Sequence, residues 1–198
     1  MKKNNVTTCL LFLFVLACTS NQNKSSVAIA DSANEAKTDT TKYRDTTTTA
    51  GITMGVNDET ARFLVDVADV NMTEVKLGQM AKDKASSQRV KNFGDMMVRD
   101  HTSADNELRT LAANKNVTLP TSVGTDHQNK INALSKKSGR RFDKACMDIM
   151  EDGHEETVRD FNRNKDNKNA DVAAFVNKML PTLQMHLDSA KAIKKALR

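Results

Sequence analysis

Glu74, His101, His154 and His186 are side chains of types able to ligate a metal, on segments of this 198-residue sequence that read as amphipathic helices. At 100° per residue, Glu74 lies about 25° from the centre of its apolar stripe and His186 about 30° from the centre of its own, so both are expected to face the interior. Asp100 and His101 straddle another stripe, each about 50° off centre. His154 is at least as far off and is expected at a boundary. At 1.5 Å per residue, Glu74 and His101 lie about 18 and 22 Å from the turn near Ser86, and His154 and His186 about 20 and 28 Å from the turn near Asn167. Helices alternating in direction would bring all four into the middle third of a bundle. One carboxylate and up to three imidazoles form a set able to hold a divalent metal ion. The same groups could instead bond to one another or to the backbone and fix the register of a soft core. A catalytic acid–base pair is a third reading.

Glu151-Asp-Gly-His154 has the Glu-x-x-His spacing of di-iron bundles, which puts both side chains on one helix face. A di-iron centre needs that motif on two helices and a Glu from each of the others. Val98 and Leu183 stand three residues before His101 and His186, so a ferroxidase centre is excluded and Glu151 is expected to be solvated. His127 falls in a connection and is also expected in water. The sequence has no nucleophile–base pairing, phosphate loop or Cys-x-x-Cys motif. No catalytic residue and no enzymatic activity is therefore expected, and a divalent ion is the one cofactor these residues could take.

The elements that must position these groups follow from helical periodicity. Asn57 or Asp58 can cap a helix running to about residue 85, with Phe63, Val67, Val70, Leu77 and Ala81 on one face. Ser86 and Ser87 supply a break and a new cap. A second helix, to about residue 116, carries Val90, Phe93, Met97, Leu108 and Leu111. Pro120 and Gly124 mark a loop, and residues 126–137 predict a short extra helix anchored by Ile131 and Leu134. After Gly139 a third helix carries Phe142, Cys146, Ile149, Met150 and Phe161. The last holds Val172, Phe175, Val176, Leu183, Ala190 and Ile193, with a kink expected at Pro181. Four helices with one stripe apiece predict an all-α four-helix bundle over residues 58–198, with the short helix inside the connection between the second and third. That connection could be a local excursion or a long crossover.

Residues 1–17 have a basic start and an apolar run of about a dozen residues, too short for the roughly 20 of a spanning helix, and read as a secretory signal. Val15-Leu16-Ala17-Cys18 resembles a lipobox that would make Cys18 the lipidated first residue, anchoring the protein to a membrane. The alternative is an ordinary cleaved signal. Residues 18–57, with Asp45-Thr-Thr-Thr-Thr-Ala50, are too polar to bury a core and are expected to form a flexible linker. The lack of Asp at Thr19 fits, by resemblance to lipoprotein sorting signals, an outer-membrane lipoprotein facing the periplasm. Cys146 would then be the one thiol besides Cys18, unable to form an intramolecular disulfide and expected to be buried. The formal charge of +5 falls to +3 without Lys2 and Lys3, and no Lys/Arg cluster is interleaved with aromatics, so nucleic acid is not an expected partner. Any protein partner is left unidentified.

Glu74-Val-Lys-Leu-Gly-Gln-Met-Ala81, Lys84-Ala-Ser-Ser-Gln-Arg-Val-Lys-Asn-Phe-Gly94, Met97-Val-Arg-Asp-His-Thr102, Arg141-Phe-Asp143, Gly153-His154 and Leu180-Pro-Thr-Leu-Gln-Met-His186 together resemble the ferritin-like domain-of-unknown-function family 4142 of exported bacterial proteins. The resemblance covers about residues 58–196 and implies a ferritin-like bundle, but no reaction, cofactor or substrate. Glu74, Asp100, His101, Asp143, His154, Pro181 and His186 match its motif positions. Cys146 stands where the family usually has a Tyr. The leading expectation is a lipid-anchored structural or interaction module of the cell envelope, linked to stress. The alternatives are a mononuclear divalent-metal binder through Glu74, His101, His154 and His186, and a metal-dependent oxidoreductase.

Overall fold

The computed structural model describes residues 25–42 and 54–197, so the signal segment 1–17 and Cys18 lie outside the described residues. The described residues form six helices: α1 (Ser26–Lys42), α2 (Asp58–Lys84), α3 (Gln88–Asn114), α4 (Thr125–Ser135), α5 (Gly139–Asn164) and α6 (Ala170–Ala196). No strand occurs among the described residues, and none of the described helices is long and apolar enough to cross a membrane.

Helix boundaries follow local chemistry. Asn57 caps α2, its Oδ1 accepting from Thr60 N at 2.9 Å. Helix α3 ends two residues before the expected Asn116, because Asn116 takes a left-handed conformation (φ 55°). Val117 N then donates to Ala112 O and Asn116 N to Ala113 O, satisfying carbonyls that the helix end leaves open. At the start of α3 the expected serine cap is replaced. The Ser87 side chain makes no capping bond. Asp143 of α5 instead accepts from Ser86 N (2.9 Å) and Ser87 N (2.8 Å), so a tertiary contact supplies the acceptor and the negative charge that a helix N-terminus favours.

That contact also fixes the topology. Asp143 at the start of α5 meets the α2–α3 turn, while Lys115 at the end of α3 pairs with Asp171 at the start of α6. Helices α3 and α5 therefore run parallel, and the chain between them crosses the length of the bundle. On its way it lies along α2: Gly124 N donates to Asp69 Oδ1 at 2.6 Å, and Lys84 reaches Ser135 O. The connection is a long crossover and not a local excursion.

Within the segment expected to be a flexible linker, residues 26–42 are helical. Helix α1 docks on α2 and on the crossover. Ala30 and Asn34 are buried. Thr118 N donates to Asn34 Oδ1 at 2.7 Å, Asn34 Nδ2 donates back to Thr118 O at 2.9 Å, and Lys37 Nζ donates to Asn116 O at 2.8 Å. Side-chain amide bonds to loop backbone, which carry no apolar periodicity, hold it in place.

Helices α2, α3, α5 and α6 pack around two apolar clusters stacked along the bundle. One gathers Phe63, Leu64, Leu108, Phe161 and Phe175. The other gathers Leu77, Phe93, Met97, Phe142 and Met150. Every long helix switches cluster at mid-length, and at that switch each carries buried polar residues: Asn71 and Glu74 on α2, His101 on α3, His154 on α5, His186 on α6. A polar layer thus divides the core. Cys146 is a fully buried free thiol in the second cluster, pushed up to about 12 by burial and by the nearby Glu74 and Asp143 carboxylates.

Candidate metal centre

Close helix packing sets the depth of the layer. Gly78 and Gly94 meet where α2 crosses α3; a Cβ on Gly94 would stand 2.6 Å from Gly78 O, and one on Gly78 2.9 Å from Gly94 O. With no side chain between them the two backbones approach, and about two turns further on His101 and Asn71 come within bonding distance.

The three imidazoles converge. One ring nitrogen from each of His101, His154 and His186 lies within 4.8 Å of the other two, and the ring centroids are 5.4–5.6 Å apart. Each ring is held from behind by an acceptor. His101 Nδ1 meets Asn71 Oδ1 at 3.0 Å, with the amide oriented as observed. His154 Nδ1 meets the Met150 carbonyl at 2.8 Å, and His186 Nε2 meets Asp100 Oδ2 at 2.9 Å. Those nitrogens must therefore carry the hydrogen, which leaves His101 Nε2, His154 Nε2 and His186 Nδ1 as bare lone pairs. All three are buried and without a hydrogen-bond partner.

The electrostatics keep the rings neutral. Burial drives His101 well below its ordinary value, helped by His154 and His186. His154 is lowered to about 4 by burial, against the Met150 hydrogen bond and with His186 adding to it. His186 is also lowered by burial, although Asp100 opposes the shift. Burial pushes the Asp100 carboxyl up, but hydrogen bonds from Arg99 and His186 outweigh it and hold the group below its usual range. Neutral imidazoles that donate their outer N–H to a carboxylate, an amide oxygen and a backbone carbonyl have the arrangement that orients histidines as metal ligands.

Of the four ligands expected from sequence, three meet and Glu74 does not join them. It is buried, as expected, but lies outside the set whose donor atoms share the 4.8 Å sphere. Its carboxylate points into the space beside α5, where Gly153 leaves room: a Cβ there would stand 3.3 Å from Glu74 Oε1. Burial raises Glu74 to about 8, only partly opposed by Lys130. His154 is not at the boundary but 1% exposed, because Phe93 and His101 of α3 pack edge-on against it. His127 is not free in water either: its Nδ1 meets Asp69 Oδ2 at 2.7 Å, tying α4 to α2. Glu151 is only partly exposed and pairs with Lys194 at 2.7 Å. Sequence reasoning missed Asn71 and the Met150 carbonyl as partners of the rings. Asn71 interrupts its helix's apolar stripe one turn before Glu74, a signal that could have flagged it.

Among the described residues this is the one convergence of three or more His, Cys, Asp or Glu donors, and it contains no carboxylate. A di-iron carboxylate centre is therefore not built here. No curated protein and no solved structure matches the chain. Residues 45–193 match the family described as a domain of unknown function, DUF4142, and the chain belongs to that family.

Proposed function

We propose that this protein binds a single divalent transition-metal ion through His101 Nε2, His154 Nε2 and His186 Nδ1. The observation that carries the reading is the set of three buried lone pairs that face one another and meet no donor. A layer serving only core register would leave three buried acceptors unpaired, each at about 1–3 kcal/mol. Imidazole donors suit Zn2+, Cu2+, Ni2+ or Co2+ and disfavour Mg2+ and Ca2+. Three protein ligands leave a position open. Beside the rings lies a space of about 30 Å³, walled by Phe161, Phe175, Met179 and Leu183, large enough for about one or two waters. Donors on a tetrahedral ion with bonds of about 2.0–2.1 Å stand closer together than 4.8 Å, so the rings would draw inward on loading.

The fold supports a ferritin-like origin through its parallel α3 and α5 joined by a crossover, with a histidine site in place of a carboxylate one. The N-terminal pattern supports a lipoprotein held through Cys18 at the outer membrane and facing the periplasm, a scaffold that carries its ion without enzymatic turnover. Elemental analysis of protein purified without chelators tests the metal reading: about one ion per chain in wild type and in Glu74→Ala, and loss in His186→Ala. Sub-stoichiometric metal in wild type, or equal metal in both variants, removes it. A mass shift on globomycin treatment tests the Cys18 anchor.

A further inference from the structure

Glu74 is a buried carboxyl group that the histidine site leaves unused. Its residue is 4% exposed, its Oε2 has no partner, and it lines a cavity of about 290 Å³ between α2 and α5, roofed by α4. Val70, Leu77 and Ile149 form apolar walls. Asp66, Glu156 and Asp160 stand around the same cavity, and Asp69 is engaged there by His127. Asp66 is raised to about 6 by partial burial and by the carboxylates of Asp31, Asp160 and Asp69, opposed in part by His127. Asp160 has Arg163 as a partner on its own helix, and Lys130 of α4 reaches the Glu74 side.

The carboxylates are spread along the groove and are not gathered to a point. Asp66 and Glu74 are eight residues apart on one helix, about 12 Å at 1.5 Å per residue. Among the described residues no three carboxylate donors fall within 4.8 Å of one another, so a single metal ion has no cage here. Charges spread along an apolar-walled groove match a flexible chain with separated ammonium groups. We propose that this groove binds a linear aliphatic polyamine, with one ammonium on the buried Glu74 carboxylate, another between Asp66 and Asp160, and the methylenes against Val70 and Ile149. Gly153 serves the site by leaving the space above Glu74 unfilled.

Calorimetric titration of the full chain with spermidine at physiological salt tests this, with Mg2+ titrated in parallel. One saturable site is expected at about pH 8.5, where Glu74 has given up its proton, and it should be about tenfold or more weaker in Glu74→Gln and in the rim variant Asp66→Asn, since each loses a charge-assisted contact. Should Glu74→Gln fail to fold, Asp66→Asn carries the test alone. Absence of saturable binding, unchanged affinity in either folded variant, or equal saturation by Mg2+ overturns the proposal. Glu74 and Asp66 are not ligands of the histidine site, so Zn2+ uptake by the same variants separates a failure of this groove from a failure of that site.

Discussion

Replacing Glu74 by Gln should make the protein more stable above neutral pH while leaving it nearly unchanged in mild acid. In the folded state the Glu74 carboxyl is raised from 4.5 to about 8, chiefly by burial. Between those values the folded chain keeps a proton that the unfolded chain has released. Stability must then fall as pH rises through that window. At 1.36 kcal/mol for each tenfold change in proton affinity, the full fall is about 4–5 kcal/mol, an upper bound that water entry would reduce. Gln fills nearly the same volume and cannot ionise, so it escapes the loss. Urea unfolding at a series of pH values from 5 to 9, in chelator, measures the difference between wild type and variant. Other titrating groups, Asp66 included, cancel in that difference. The midpoint gap should widen with pH up to about 8 and then level off, at constant m value. A gap that stays flat, or a variant less stable at pH 9, would refute the placement of Glu74 in a buried, unpaired position.

Three further outcomes follow from the same geometry. Acidification should release bound Zn2+ and destabilise the chain below about pH 6.5, because His154 is lowered from 6.5 to about 4 and the unfolded chain binds its proton first; a fluorescent zinc indicator and urea midpoints would follow the two effects. Asp100→Ala, which removes the carboxylate behind His186, should weaken metal binding by about 10–100-fold with little loss of fold, as read by competition with a chelator of known affinity. Gly94→Ala should cost about 1–3 kcal/mol in chemical unfolding, since a Cβ 2.6 Å from Gly78 O forces α2 and α3 apart, and it should lower metal affinity by displacing His101 from Asn71.

The four long helices and the short one in the connection were readable from apolar spacing, and so was the inward aim of Glu74 and His186, because the 3.6-residue turn fixes which face a residue shares with its neighbours. Depth along the bundle followed from the fixed rise per residue. The partner of each inward group did not follow. Helix α2 is covered by α1, α3, α4 and α5, and Asp69 and Thr73 are buried along with Leu64 and Leu77. On a helix enclosed on so many sides, burial does not say which neighbour a side chain meets, and Glu74 turned to α5 instead of to the rings. His154 looked peripheral because it lies at least about 50° off the centre of its stripe, yet α3 reaches across to cover it. Helix α1 lacked an apolar stripe and was illegible for that reason: Asn34 and Lys37 hold it through loop carbonyls. The cap from Asp143 and the crossover are tertiary facts with no local signature.

Diffraction from crystals soaked in Zn2+, collected on both sides of the zinc absorption edge, would test the histidine centre most directly. One anomalous peak per chain is expected, bonded to His101 Nε2, His154 Nε2 and His186 Nδ1 at about 2.0–2.1 Å, with Glu74 unbound. A peak elsewhere, a peak that recruits Glu74 in place of a ring, or none between the three rings would contradict it.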